Sequence, residues 1–589
     1  MKKLKPLWLG FGLFVSVFAV ISGLWFIIAK LIGSLWPQAG YSVERAQRLM
    51  LSVGSRSGQV FWLIVAGFSF AIAAYWSYDS IPSNRYGFNS EIDADEVTAF
   101  NRGRMFNSVL AVIAGVCAAV LLLVSFTLDA KLTPRAITPS ITIEYASQKK
   151  QPLILERING SHDPQVKIDV TPIEYLEKGF DARPASLVGA QKVMPERATG
   201  DSRADVLDET YAYLPAEDGT GRWTTIRDGS GKRIHIDSIV EWNGDPEKIH
   251  QCRFEGENEL NYALTGEYAN SLSDQVRQKV PNVFWTLSDA YGYCAEGNVP
   301  TIVLPVKMDR WFGGRSVEVP AGVVVVRGSQ SGEPQVEYKR SVKVGELEGP
   351  VYPISIAAQQ REMINWGAGR KWQANGFGFD PVNLGANKGN SSEYVLRSAL
   401  DERAYYATPL TPRQSRAETI MALSLVESGS VTYGEFNPMR VQVHHEEDKG
   451  LLTEQDLERR ARDVLARIDS SFLNKGQEGE LQEFIPSADD NWSAFAVRSG
   501  QPRYLLTIRP GQLDQAVELN GGEMGRVLYD GSASSGGSGS NSAGGESPGA
   551  SGELAGLTDV ELQARLDATI DELARLNAED RSRRAAAGS

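Results

Sequence analysis

The densest cluster of side chains able to bind a metal or move a proton is His444-His445-Glu446-Glu447-Asp448. Imidazoles and carboxylates are ligands for zinc and similar cations. On a strand, however, His444 and His445 point to opposite faces, so one ion cannot readily use both. The H-E-x-x-H spacing that puts two histidines on one helix face is absent. His250 and Cys252 alternate onto one face of a strand, with no further ligand close in sequence. The expectation is therefore no metal and no cofactor. Cys117 lies in an apolar run, which leaves Cys252 and Cys294 as a pair in a long polar region. An even pair of this kind points to a disulfide in an oxidising compartment.

Gly229-Ser230-Gly231-Lys232 carries residues of a phosphate-binding loop at the wrong spacing. Ile226 stands where the first glycine is needed, and Arg233 follows the lysine in place of Ser or Thr. A turn between two strands is the expectation here. The sequence has no C-x-x-C pair, and its one G-x-S-x-G match, Gly545-Glu546-Ser547-Pro548-Gly549, lies within the Gly/Ser stretch rather than at a strand-to-helix nucleophile elbow. Glu427 in LSLVESGS is followed directly by serine. It resembles the Glu-Ser pair of lysozyme-like lytic transglycosylases, in which one carboxylic acid protonates the glycosidic oxygen. The resemblance covers a few residues. It implies a helix carrying the glutamate and a downstream Gly-Leu-Met-Gln-type element. Gly434-Glu435-Phe436-Asn437-Pro438 and Met439 follow instead. Glu427 is the one catalytic candidate, as the general acid of a membrane-anchored enzyme cleaving cell-wall glycan.

The elements that must position these residues fall into two solvents. Residues 1–130 hold three runs without charge: 7–29, 60–76 and 108–127. Each is long enough, at ~1.5 Å per residue, to cross or nearly cross a hydrocarbon core of ~30 Å as a helix. The expectation is three transmembrane α-helices in the lipid bilayer of a cell membrane. Lys2, Lys3 and Lys5 favour a cytoplasmic N-terminus. Lys30, Arg45, Arg48 and Arg56 in the first loop argue the other way, and Arg85, Arg102 and Arg104 in the second restore the balance. The cysteine pair breaks this tie, because three crossings from a cytoplasmic N-terminus place the remaining chain outside.

Residues 131–345 read as a strand-rich domain. Ile141-Tyr145, Val166-Val170 and Ile234-Ile236 alternate; 301–306 and 323–326 are short apolar runs; Val336-Tyr338 and Val342-Val344 alternate again. A helix is expected over Ser271–Lys279, and another N-capped by Ser355. Residues 346–530 read as a mixed α/β domain. Thr419–Val426 fits strand or helix, Tyr504–Ile508 fits a strand, and 451–473 fits a helix capped by Thr453. The stretches 282–297 and 349–394 mix aromatics with Gly and Asn, as irregular binding loops do.

Residues 531–552 are a Gly/Ser linker, flexible by composition. In the segment 553–589, Thr558 and Glu561 form a capping box. Leu562, Leu566, Ile570, Leu573 and Leu576 then make the apolar stripe of an amphipathic helix. A short helix on a loose tether is marginal alone and suits docking or coiled-coil self-association, which would make a homo-oligomer. A net charge of -13 with no long basic run gives no footprint for nucleic acid. The function expected is a multi-pass envelope protein with an extracytoplasmic region for protein–protein interaction, in a secretion, conjugation or surface complex. The glycan-cleaving enzyme is the alternative.

Overall fold

The computed structural model describes residues 133–530, except 149–167, 175–178, 182, 201–202, 217–220, 230–234, 246, 265–270, 313–314, 367–377, 383–393, 414–418, 445–452, 475–478, 487–490, 499–500, 510–513 and 521–522. The apolar runs at 7–29, 60–76 and 108–127, the linker 531–552, and the stripe Leu562, Leu566, Ile570, Leu573 and Leu576 lie outside the described residues. Among the described residues no helix is long and apolar enough to cross a membrane. The chain divides into two units, 1–532 and 533–589, and everything below belongs to the first.

Strands β1 (Ile141–Ala146) and β2 (Asp169–Ile173) run parallel. Helix α1 (Leu187–Arg197) follows, capped by the Ser186 hydroxyl, which accepts from the Gly189 N–H. An antiparallel sheet comes next: β3 (Ala204–Val206), β4 (Ala212–Leu214), β5 (Arg222–Gly229), β6 (Ile236–Trp242) and β7 (Ile249–Arg253). Its order is β3-β5-β6-β7, with β4 also on β5. The glycine-rich stretch after Ile226 joins β5 to β6, which pair antiparallel up to Asp228 and Ile236.

Helix α2 (Leu272–Lys279) is capped by Ser271, as its sequence suggests. Strands β8 (Tyr291–Ala295), β9 (Val299–Phe312), β10 (Arg315–Arg327) and β11 (Gln335–Lys339) form a sheet ordered β11-β10-β9-β8. The β9–β10 hairpin is long. Phe312 pairs with Arg315 in its register. Helix α3 (Ile354–Met363) then leads to β12 (Phe379–Pro381), β13 (Tyr394–Arg397), β14 (Ala404–Pro412), β15 (Ala422–Glu427) and β16 (Met439–Val443). These join β1 and β2 in a mixed sheet ordered β12-β14-β15-β16-β1-β2, with β13 also on β14. The expected boundary at residue 345 therefore runs through one sheet, since β1 precedes it and its parallel partner β16 follows it.

Helix α4 (Glu454–Ile468) starts at Thr453, whose hydroxyl accepts from the Asp456 N–H in a capping box. Strands β17 (Gly479–Pro486), β18 (Trp492–Arg498), β19 (Gln501–Ile508), β20 (Gln515–Asn520) and β21 (Glu523–Asp530) close the fold as an antiparallel meander.

The polar region is strand-rich with mixed sheets, and alternation explains its cores. On β15, Ala422 and Val426 enter one core with Ile141, Ile143 and Val441. Leu423 and Leu425 enter another with α4 residues Leu457, Ala461 and Leu465. A strand buried on both faces reads as a continuous apolar run, which is why Thr419–Val426 was ambiguous by pattern. A third core joins β6, β9 and β10 to α2 through Ile239, Ile302, Val324 and Val276.

Two local expectations differ. The cap of α3 is Pro353, not Ser355; proline suits the helix start, where its missing N–H costs nothing. Val342-Val344 forms no strand; Val342 makes a single bridge to Val431, and Val344 is exposed.

Candidate functional site

The cysteine pair sits where two sheets meet. Cys252 on β7 and Cys294 on β8 are disulfide-bonded, with Cα atoms 5.8 Å apart, well inside the ~7 Å that a bridge can span. Both are buried in the third core. Beside them lies the buried Glu241. It accepts from the Cys294 N–H at 2.9 Å, contacts His250 Nδ1 at 3.1 Å and pairs with Arg222 at 3.1 Å. Arg222 reaches on to Glu348. Glu241, His250 and Cys294 are the one group among the described residues close enough to share a metal. The Cys294 sulfur is already in the disulfide, so what remains is a network of hydrogen bonds and ion pairs. His444 is buried at the end of β16, and His445 to Asp448 lie outside the described residues.

Glu427 ends strand β15 rather than sitting on a helix. Its carboxylate pairs with Arg403 at 2.9 Å. Glu427 in turn holds the Arg403 guanidinium above its ordinary pKa. A general acid must present a proton to substrate; this carboxylate presents its oxygen to a guanidinium instead.

Within the aromatic-rich stretch 282–297, Thr286 and Asp289 make a capping box just before β8. Ser355 donates to the Asp289 carboxylate at 2.8 Å, and Lys307 donates to Ser355 Oγ at 2.7 Å. A serine touching a lysine is the start of a nucleophile–base pair. Here Asp289 at 3.3 Å and Glu318 at 3.5 Å hold the Lys307 ammonium, and an ammonium between two carboxylates is a donor rather than a base. Sequence reading assigned Ser355 to a cap. Its partners lie 48 and 66 residues away, and no local spacing reveals them.

A second buried centre gathers around Arg183. Its guanidinium lies 4.8 Å from the Tyr213 ring and 5.1 Å from the Trp223 ring. It donates to the Val395 carbonyl at 3.0 Å and pairs with Glu483 at 3.7 Å. One side chain thus touches three sheets. Glu483 sits at an irregularity of β17, between Gln482 and Ile485, with φ of 50°. Such a bulge re-aims consecutive side chains. Gln482 accepts from the Ser186 hydroxyl at 2.6 Å, and Glu483 accepts from the Leu187 N–H. A remote strand therefore supplies an anion to the N-terminus of α1, where the helix dipole favours it. Complete burial outweighs these partners and pushes the Glu483 carboxyl up to about 7.

An open apolar groove of about 570 Å³ lies elsewhere, against the turn end of the long hairpin. Ala136, Pro139, Phe312, Val317, Val319 and Phe436 line it, with Arg310 and Glu435 as its charges. Arg310 donates to the Gly434 carbonyl at 3.2 Å. A smaller cavity of about 100 Å³, beside Arg183, Tyr213 and Trp223, is part of the buried centre.

Comparison with protein families, curated proteins and solved structures finds no match. The docking-helix residues Leu562 to Leu576 lie outside the described residues. Sequence reading missed α1, the Arg183–Glu483 pair and the groove. The Ser186 cap was the only local signal for any of them.

Proposed function

We propose that the chain is a multi-pass, membrane-anchored envelope protein whose strand-rich region lies on the extracytoplasmic side. There it binds other envelope proteins, as a component of a secretion, conjugation or surface complex. The segment 553–589 acts as its docking arm, on the tether 531–552. The observation that carries this reading is the Cys252–Cys294 bond, because disulfides persist in oxidising compartments. Three uncharged runs give an odd number of crossings, which agrees with a cytoplasmic Lys2, Lys3 and Lys5 and an outward-facing domain.

The test is thiol labelling in intact cells of a Cys117→Ala variant. A membrane-impermeant maleimide should label the protein only after treatment with an impermeant reductant. Labelling that needs cell lysis would place the region in the cytoplasm and overturn the reading. Docking is tested separately. Deleting 553–589 should remove a co-purifying protein, or dissociate an oligomer, in detergent pull-downs; an unchanged complex would refute the arm.

A further inference from the structure

We infer that Cys252, Cys294, Glu241 and His250 form a redox-gated site for a divalent cation that favours thiolate, such as zinc. The disulfide closes the site and reduction opens it. The inference concerns the folded region alone and does not rest on the sidedness proposed above.

Three strands bring the ligands together. Glu241 on β6 and His250 on β7 are register partners, and Cys252 follows on β7 opposite Ile239. Residues two apart share a strand face, so His250 and Cys252 project to the same side. Cys294 on β8 completes the group from the neighbouring sheet. The ligand atoms of Glu241, His250 and Cys294 lie within 4.8 Å of one another, and the Cys252 sulfur is bonded to that of Cys294. A tetrahedral zinc ion holds its ligands about 3.3–3.8 Å apart. His250 is exposed, so its ring is free to turn through the difference.

The surroundings suit a cation. His250 Nδ1 faces the Glu241 carboxylate at 3.1 Å, and Nε2 faces Asn298 Oδ1 at 2.9 Å. A neutral imidazole carries one N–H and satisfies only one of these oxygens. With Nε2–H given to Asn298, Nδ1 turns its lone pair toward Glu241, and a metal ion between the two satisfies both. A second ring N–H donated to a fixed oxygen is how proteins orient a metal-bound histidine. Two thiolates and a carboxylate around zinc leave one net negative charge, which Arg222, paired with Glu241 at 3.1 Å, offsets. Cys252, Cys294 and Glu241 are buried, while the exposed His250 gives the ion a path from solvent. Thiolate and imidazole together select zinc over magnesium or calcium.

In the disulfide, neither sulfur has a thiolate to offer. A dithiol reductant changes this by thiol–disulfide exchange. Its own two sulfurs join, and its electron pair and two protons pass to Cys252 and Cys294. Zinc displaces those two protons as it binds the thiolates. Exchange with an oxidised dithiol re-forms Cys252–Cys294 and expels the ion.

The experiment uses the full chain carrying Cys117→Ala in detergent, either oxidised or reduced with a phosphine that ends as its oxide. Zinc alone is titrated against a chromophoric chelator, and cobalt(II) reports the ligands. The reduced chain should hold about one zinc ion, and its cobalt form should show a thiolate-to-metal charge-transfer band. The oxidised chain should do neither. His250→Ala should weaken zinc binding of the reduced chain by a factor of about ten or more. Zinc should raise the urea midpoint of the reduced chain and leave that of the oxidised chain unchanged. Equal zinc binding by the oxidised chain, or none by the reduced chain, overturns the site. A reduced His250→Ala chain that binds as tightly as its parent also overturns it, since two thiols then suffice. Zinc taken up by the reduced chain with no gain in urea resistance overturns it as well, because the ion then sits on unfolded chain. None of these results bears on the sidedness, which the labelling of intact cells decides separately.

Discussion

Cys252–Cys294 ties β7 to β8 with a covalent bond inside an apolar core, whereas β17 meets α1 through Glu483, Arg183 and Ser186 with no covalent bond at all. Both junctions join elements distant in sequence, and both are buried. They differ in what can undo them. The first responds to reductant; its polar companion Glu241 contacts Arg222, His250 and a backbone N–H. The second responds to protons and not to reductant. A buried carboxylate is costly to charge, and its partners offset that cost only in part. A folded region held by both kinds of junction has two independent ways to loosen.

The largest effect should come from breaking the ionic junction. Arg183→Met leaves Glu483 buried without its cation and removes the bond to the Val395 carbonyl. Stability should fall by roughly 3–5 kcal/mol, read as the urea midpoint of tryptophan fluorescence in detergent. The loss should shrink at pH 5, where Glu483 is protonated in either chain. An equal loss at pH 5 and 8 would mean that Arg183 acts by packing on Tyr213 and Trp223 alone.

Next comes the covalent junction. The bond closes a loop with a sequence separation of 42. Replacing both cysteines with alanine should cost about 2–4 kcal/mol. Reductant should reproduce the loss in the parent chain and do nothing to Arg183→Met beyond it. Coupling between the two losses would show that the junctions are not independent.

The pH dependence sharpens the contrast. The Glu483 carboxyl titrates at about 7 in the fold, against an ordinary value of 4.5. The folded state thus binds more protons than the unfolded state between those values. Its contribution is fully present below about 4.5 and is lost as pH rises to about 7. A decline on the order of 2–3 kcal/mol across that window is expected. Glu483→Gln should flatten it, while the double-alanine cysteine variant should keep it. A slope that survives Glu483→Gln would assign the titration to another group.

Smaller effects should mark places outside both junctions. Thr453→Ala removes the capping box of α4 and should cost about 1 kcal/mol. Glu427→Gln breaks a partly exposed ion pair with Arg403 and should cost less than about 1 kcal/mol. In the same chain, degradation of purified cell wall should not change. A parent activity abolished by this substitution, with folding intact, would restore Glu427 as a general acid.

Some of this molecule was written locally. Thr453 and Asp456 lie within one turn of each other, so capping chemistry located the start of α4 from sequence. Alternation located β1, because side-chain direction has a period of two, and short apolar runs located the cores of β9 and β10. The Gly/Ser stretch at 531–552 and the three uncharged runs at 7–29, 60–76 and 108–127 are likewise properties of composition. Even the cysteine pairing needed only a count of two in a region with no other thiol. Arg183 and Glu483 lie 300 positions apart, and Ser355 is 66 residues from Asp289, so no window of sequence holds both partners. The parallel pairing of β1 with β16 also depends on which apolar face finds which, across nearly 300 residues. Short-range periodicity and capping fixed the elements; burial, which is collective, decided their neighbours and therefore which carboxylate faces a cation, which serine meets a lysine, and which aromatic is left at the surface.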